Sequence, residues 1–321
     1  MASEQILETA SGRVRLQRRL GSGAMGTVHL GWHEALNHAV AVKFLTAHTT
    51  TSHERFVREG KTAGRIDHPH VVRVVDAGED HGRAYLVLEF VDGSSLGDVL
   101  EHQDTVDREA PPADRPVGCI ADYALVERIL LQVADGLAAI HAAGVVHRDI
   151  KPENLLLRID GVIKISDLGL AKQVRDPEAL RLTGTNMVVG TPLYVSPEGI
   201  RHPQDITGAA DIYGLGATIY HLLAGRPPFP GATPYEVMRG HLERPVVPLA
   251  TVRPGIPATL ATAVERCLDK DPLKRPTPVA LQRMFSGEED DDAEDGPLSQ
   301  VVISATAAVV VAALGLWWVF H

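Results

Sequence analysis

Eight residues, His147 to Asn154, bring together an acid at Asp149, cations at Arg148 and Lys151, and an amide at Asn154, directly after an apolar helical pattern. Three other short stretches carry chemistry of a related kind. In Val40-Ala41-Val42-Lys43-Phe44-Leu45 a lysine stands inside an otherwise apolar strand, which is costly unless its ammonium reaches a partner. Asp167, in Asp167-Leu168-Gly169, offers the carboxylate that a hard divalent cation takes. Gly21-Ser22-Gly23-Ala24-Met25-Gly26-Thr27-Val28 reads G-x-G-x-x-G-x-V, and glycines let a backbone come close to phosphate oxygens. It lies between two strand-like runs, whereas the dinucleotide fingerprint lies between a strand and a helix. Taken alone, this stretch reads equally well as a plain glycine-rich hairpin.

The elements that must hold these residues are legible in the periodicity. Arg13 to Leu20 alternates apolar and basic residues as a half-buried strand does, and a second run passes through Leu30 and Trp32. A helical pattern begins at Phe56 and continues to Ile66, and Ala84 to Phe90 is an apolar strand. Tyr123 to Ala143 is amphipathic, with Leu125, Ile129, Val133, Leu137 and Ile140 on one face and Gly144 as C-cap. From Asp211 to Leu223 the pattern is apolar on nearly all faces, which predicts a buried helix ending at Gly225. Thr233-Pro234-Tyr235-Glu236 is a capping box with proline at the first helical position, and Thr277-Pro278 opens another helix in the same way. Between the strand ending at Phe90 and the helix starting at Tyr123, residues 101–122 are polar and rich in Pro and Asp, which predicts a disordered loop.

Composition bounds the function classes. The 321 residues are 45% hydrophobic, enough for a full core and room for two lobes or domains. Of the formal net charge of −10, seven charges lie between Glu288 and Asp295, leaving −3 for the rest. No basic stripe of the kind that binds nucleic acid is present. Cys119 and Cys267 are too few and too far apart for a disulfide framework or a Cys-rich zinc site, and read as packing residues in a reducing cytosol. Residues Met1 to Ser11 lack the apolar core of a signal peptide.

The string H-R-D-x-K-P-x-N resembles the catalytic loop of Ser/Thr-type protein kinases, and the other motifs follow in the order that such kinases show. The chain is thereby identified as similar to the bacterial, eukaryotic-like (Hanks-type) Ser/Thr protein kinases. The resemblance implies an α+β bilobal fold over 14–285, with a β-rich N-lobe at 14–91 and a helical C-lobe at 92–285, and transfer of phosphoryl groups from ATP to protein hydroxyls. Asp149 is implied as the base, Lys151 as the group that stabilises the γ-phosphoryl, and Thr191 as the residue holding both in register. Asn154 and Asp167 are implied as ligands of Mg²⁺, for which Mn²⁺ can stand in. Lys43 would orient the phosphates while paired with Glu59; Glu54, nearer the helix start, is the alternative. Leu20 to Val28 would cover the nucleotide, Val28, Ala41 and Leu156 would sandwich its base, Leu88 would stand beside the base, and Glu89 and Val91 would offer backbone contacts. Gly190 to Glu198 resembles the substrate-docking stretch closed by A-P-E, here S-P-E. Glu198 is expected to pair with Arg275 as a structural lock, and Asp211 to anchor the catalytic loop. Arg148 is implied as the partner of a phosphate on Thr183 or Thr185, the latter favoured; the plain alternative is a polar loop that carries threonines. His147 reads as a packing and hydrogen-bonding support for Asp167. Leu168 departs from D-F-G but keeps its apolar role. The presence of Lys43, Asp149, Asn154 and Asp167 argues against a pseudokinase, and H-R-D-x-K-P-x-N with S-P-E argues against a small-molecule kinase of related fold.

The tail has a different character. An acidic linker, 286–298, precedes residues 299–320, and Val301 to Phe320 carries no charge. Twenty helical residues span ~30 Å, the thickness of a bilayer's hydrocarbon core. The expectation is a single transmembrane helix with the kinase domain in the cytoplasm, where ATP is; a buried core helix is the alternative. Ser304, Ala308 and Ala312 recur every four residues, a small-xxx-small face that permits a homodimer.

Overall fold

The computed structural model describes residues 5–23, 26–45, 50–109, 115–168 and 192–286. The chain divides into two compact units. The first comprises Met1–Val91, Ala139–Arg148 and Ile165–Gly190; the second comprises Asp92–Ala138, Asp149–Lys164 and Thr191–His321. The sequence reading placed 139–148 and 165–190 in the C-lobe. Part of the reason they cluster with the first unit is a parallel bridge between Val71 and Ile165, with Val72 N–H donating to Ile165 O and Ile165 N–H to His70 O, both at 2.9 Å.

The first unit is built on six antiparallel strands: β1 (Ile6–Thr9), β2 (Gly12–Gly23), β3 (Gly26–His33), β4 (His38–Leu45), β5 (Val74–Asp80) and β6 (Arg83–Glu89), in the order β1-β2-β3-β4-β6-β5. Alternation decides the two faces. Val40, Val42 and Phe44 point to one side, where they pack with Leu7, Val14, Leu16, Tyr85 and Val87. Directly opposed residues of an antiparallel pair share a face, so Lys43 lies on the other side with its partners Val28 and Leu86, and Ala41 lies there with Leu30 and Leu88. Helix α1 (Thr50–Ala63) packs on that second face. A Cβ on Gly60 would lie 2.4 Å from Leu86 Cδ2 and 3.2 Å from Ala77 Cβ, so only glycine lets the helix approach this closely. The helix starts earlier than Phe56 and ends before Ile66.

The second unit carries the remaining helices. Helix α2 (Leu96–Glu109) follows the short strand β7 (Gly93–Ser95), which pairs with β8 (Leu155–Arg158) in a sheet of order β7-β8-β9, where β9 is Ile163–Ile165. The disordered loop expected at 101–122 is corrected here: α2 continues through Glu109, and residues 115–122 are fastened to it. Asp107, buried in α2, accepts from both guanidinium nitrogens of Arg115 at 2.6 and 2.8 Å, from Gly118 N–H at 2.7 Å and from Gln103 at 2.8 Å. A polar segment stays ordered here because one buried carboxylate satisfies four donors. Helix α3 (Tyr123–Ala142) buries Val126, Ile129, Leu130, Val133, Ala134, Leu137 and Ile140; Leu125 is only half-buried, so the stripe is rotated slightly from the expected one.

Further along come α4 (Pro197–Arg201), α5 (Gly208–Ala224), α6 (Pro234–Glu243), α7 (Leu249–Val252), α8 (Ala258–Cys267) and α9 (Pro278–Ser286). Helix α5 is buried on every side from Asp211 to Tyr220 and is capped by Gly225 at φ +67°. Its glycines permit close approach: a Cβ on Gly216 would lie 2.5 Å from Cys267 Cβ on α8. Both cysteines are buried, and burial pushes the Cys267 thiol up to about 12. Among the described residues, no helix is long and apolar enough to cross a membrane; residues 299–320, where the sequence places the span, lie outside the described residues.

Candidate active site

In the first unit the site residues collect on the Lys43 face of the sheet. The glycine-rich stretch is the turn between β2 and β3, with Gly21 opposite Val28, Ser22 opposite Thr27 and Gly23 opposite Gly26. Its glycines have different reasons. Gly26 adopts φ +152°, and a Cβ there would lie 1.9 Å from Phe44 O, so the hairpin itself requires glycine. At Gly21 and Gly23 a Cβ would meet nothing within 4 Å and no left-handed backbone is needed, so packing does not explain them. Open space above two unexplained glycines fits a ligand that approaches the backbone closely. Ala24 and Met25 lie outside the described residues, and Leu20 and Ser22 are exposed.

Lys43 is only 7% exposed, and its Nζ lies 2.6 Å from Asp167 Oδ1. An ammonium in this position needs an anion, and Asp167 supplies one. Asp167 itself sits at φ +57°, uncommon for any residue but glycine and easiest for Asp and Asn. Its predecessor is held from behind: the ring N–H of fully buried His147 donates to Ser166 O at 2.8 Å. Glu59 lies on α1 beside Gly60, the residue in contact with Leu86, which is Lys43's cross-strand neighbour; its side chain lies outside the described part. Val28, Ala41 and Leu88 are half-buried on the same face, as an apolar wall for a flat ring would be. Glu89 N–H donates to Arg73 O at 2.9 Å, so any base contact made by Glu89 falls to its carbonyl; Val91 is half-buried.

Asp149, Lys151 and Asn154 come together in the second unit. Asn154 amide Nδ2 donates to Asp149 O at 2.8 Å and to Asp149 Oδ2 at 3.1 Å, while Lys151 Nζ lies 3.1 Å from that same Oδ2. A short 3₁₀ turn, Pro152–Asn154, folds the amide back onto the acid, and Asn154 N–H donates to Lys151 O at 3.0 Å. The amide NH₂ is a donor only and is directed at Asp149, so Asn154 Oδ1 is its atom suited to ligate a cation. Leu156 is half-buried in β8. Ile150 rests on α5: a Cβ on Gly214 would lie 2.9 Å from Ile150 O. Asp211, buried in the first turn of α5, lies three residues before that contact. Arg148, the last residue of the first unit's second segment, holds φ +67°.

The structure brings Glu198 and Arg275 together as a bidentate pair, at 2.6 and 2.8 Å. Burial alone would raise the Glu198 carboxyl, but the guanidinium beside it wins and holds its pKa below the ordinary value. Thr183, Thr185 and Thr191 lie outside the described residues. Two histidines that the sequence reading passed over, His221 and His241, bond to Tyr194 and Leu193 of the stretch before Glu198. For His221 the signal available was a histidine in an otherwise apolar helix, where it must find partners for its ring nitrogens; the mixed helix Pro234–Glu243 gave no such signal for His241.

A model of the protein kinase domain matches residues 14–285, across both units. The chain belongs to the protein kinase family. Serine/threonine-protein kinase pkn2 of Myxococcus xanthus is 37% identical over 273 residues, covering 83% of this chain and 31% of that one. PkaB of Streptomyces coelicolor, also a serine/threonine-protein kinase, is 40% identical over 267 residues, covering 80% and 58%. Among solved structures, the Mycobacterium tuberculosis PknI kinase domain superposes with a TM-score of 0.63 at 27% identity, covering 88% of this chain and all of that one. The chain spans about a third of the length of the curated kinases first matched. Members of the protein kinase family use ATP and a divalent metal. The donor sets present, Asp167 carboxylate with Lys43 and Asn154 amide oxygen beside Asp149, are of the hard oxygen and cationic types that a metal triphosphate takes.

Proposed function

We propose that this chain is a protein kinase that transfers the γ-phosphoryl group of ATP to serine or threonine hydroxyls of proteins, in signalling. The observation that carries the reading is Asp149, its carboxylate held between Lys151 and the Asn154 amide, in a chain whose residues 14–285 match the protein kinase domain. Asp149 orients the acceptor hydroxyl and takes its proton, and Lys151 offsets charge on the transferring group. Lys43, paired with Asp167, orients the phosphates, with Glu59 as its proposed second partner. Asn154 and Asp167 would hold a divalent metal, Mg²⁺, which would neutralise charge on the triphosphate. Thr191 keeps Asp149 and Lys151 in register, Asp211 anchors the loop below them, and Gly190–Glu198 docks the acceptor. The experiment is incorporation of labelled phosphate into casein and mixed histones by the full chain with ATP and Mg²⁺, wild type against Asp149→Asn. No incorporation by the wild type, or equal incorporation by both, refutes the assignment.

Regulation and placement belong to the same reading. Thr183 and Thr185 accept phosphate in trans, and Arg148 pairs with it through charge-assisted bonds. A Thr183→Ala/Thr185→Ala protein as active as phosphatase-treated and re-phosphorylated wild type contradicts this. Residues 299–320 span the membrane once with the kinase domain on the cytoplasmic side, and the Ser304, Ala308, Ala312 face pairs two copies. The support is the run of uncharged residues after an acidic linker. Recovery of the full chain in the soluble fraction after lysis without detergent removes the span, and self-association unaltered by Ala308→Leu removes the dimer.

A further inference from the structure

The segment from Pro192 to Val195 has no helix or strand, is half-buried throughout, and is nevertheless pinned by side chains of two helices in its own unit. Leu193 O accepts from His241 Nε2 on α6 at 3.1 Å. A carbonyl can only accept, so His241 carries its proton on Nε2 and presents a lone pair at Nδ1. Tyr213 Oη, on α5 and 2.8 Å away, therefore donates to that lone pair. The next residue is held as well: Tyr194 Oη lies 2.7 Å from His221 Nδ1, also on α5. Just beyond, Ser196 Oγ accepts from Gly199 N–H to cap α4, and Glu198 is locked to Arg275.

Volume does not account for these histidines. His241 is fully buried against Phe229, ring centroids 5.0 Å apart, in a pocket that a phenylalanine would fill without burying polar atoms. What a phenylalanine lacks is the two-ended bond that joins Tyr213 to Leu193 O. Burial, with Lys270 and Arg244 nearby, pushes His241 down to about 3, and burial pushes His221 down to about 4, so both rings are neutral at physiological pH. An irregular, partly exposed backbone fixed by bonds from a rigid scaffold is what presents a chain segment to a partner.

We infer that His241 and His221 are positioning residues that hold Leu193 and Tyr194 in the shape that receives the protein acceptor, His241 fixing the backbone and His221 the Tyr194 ring. The inference rests on the kinase reading and adds to it which residues set acceptor affinity. Steady-state kinetics of the full chain on casein test it with His241→Phe, which keeps ring volume, and His241→Gln, which keeps one donor and one acceptor. The Phe variant is expected to raise KM for casein about tenfold, the equivalent of about 1.4 kcal/mol, with KM for ATP within about twofold. The Gln variant is expected to recover most of that loss. Tyr194→Phe, which removes one oxygen only, moves KM for casein in the same direction and serves if His241→Phe does not fold. Casein KM unchanged in either Phe variant, or a Gln variant no better than Phe, overturns the inference while leaving the kinase reading intact. A wild type inactive on casein and histones overturns both.

Discussion

Replacing Arg275 removes a fully buried, multiply bonded cation, and the structure sets the size of the effect. Its side chain is completely buried, makes two bonds to the Glu198 carboxylate, donates to Asp269 O and Ala209 O at 2.8 Å each, and lies over the Tyr213 ring at 4.9 Å. Removing one partner of a buried pair costs ~3–5 kcal/mol, because the remaining charge keeps its desolvation penalty without the attraction that offset it. For a domain of this size ~1 kcal/mol moves the unfolding midpoint by about 2–4 °C, so Arg275→Met should lower it by about 6–20 °C. Glu198→Gln keeps an acceptor but no charge, and should fall between wild type and Arg275→Met. The double variant Glu198→Leu/Arg275→Met leaves no orphaned charge and should be more stable than the sum of its singles by ~1–3 kcal/mol. Differential scanning calorimetry on wild type, Arg275→Met, Glu198→Leu and the double variant gives the cycle, with Glu198→Gln measured beside it. The wild-type pair also carries a pH signature. The folded-state pKa of Glu198 is depressed, so its stabilisation is present above the ordinary carboxylate pKa and is lost as pH falls through the folded value. Additive single effects, or an Arg275→Met midpoint within about 2 °C of wild type, would refute the account of this pair as a lock.

Two further outcomes follow from the geometry. Asp107→Asn leaves the Arg115 guanidinium without its counter-charge and should cost ~3–5 kcal/mol by calorimetry. Because the Arg115 bonds hold Asp107 down to about 2 in the wild type, that difference should be full at neutral pH and shrink as pH falls from about 4 through about 2, as followed by circular dichroism. Gly26→Ala and Gly21→Ala should separate fold from ligand. The first drives a Cβ into Phe44 O and should destabilise by more than ~1 kcal/mol. The second adds a Cβ in open space and should leave the midpoint within ~0.5 kcal/mol while weakening nucleotide binding by fluorescence titration. Equal midpoints for the two glycine variants would contradict the distinction drawn between them.

Much of the fold was legible because local rules agree with one another. Strand alternation in His38–Leu45 separates Lys43 from Val42 and Phe44, and that alternation alone predicts which face the lysine takes. The buried helix α5 announces itself by being apolar all round, and its capping glycine by position. Motif order singles out Asp149, Lys151, Asn154 and Asp167 as candidates without any tertiary information. Residues 101–109 and 115–122 depart from the expected disorder for a physical reason. Their composition is that of a solvated loop, and only the folded chain shows one carboxylate, Asp107, collecting enough donors to order them.

Sequence alone determined which residue types are available to handle a phosphate, a metal and a hydroxyl, since those are properties of side chains and of short spacing. Tertiary structure decided how they are partnered. Lys43 and Asp167 are 124 residues apart and meet only because β4 and the chain after β9 fold into the same unit. The same holds for His241, 48 residues from the carbonyl it supports. A buried polar group must find its partner wherever the fold brings one, and no local pattern encodes an obligation that is met across the chain.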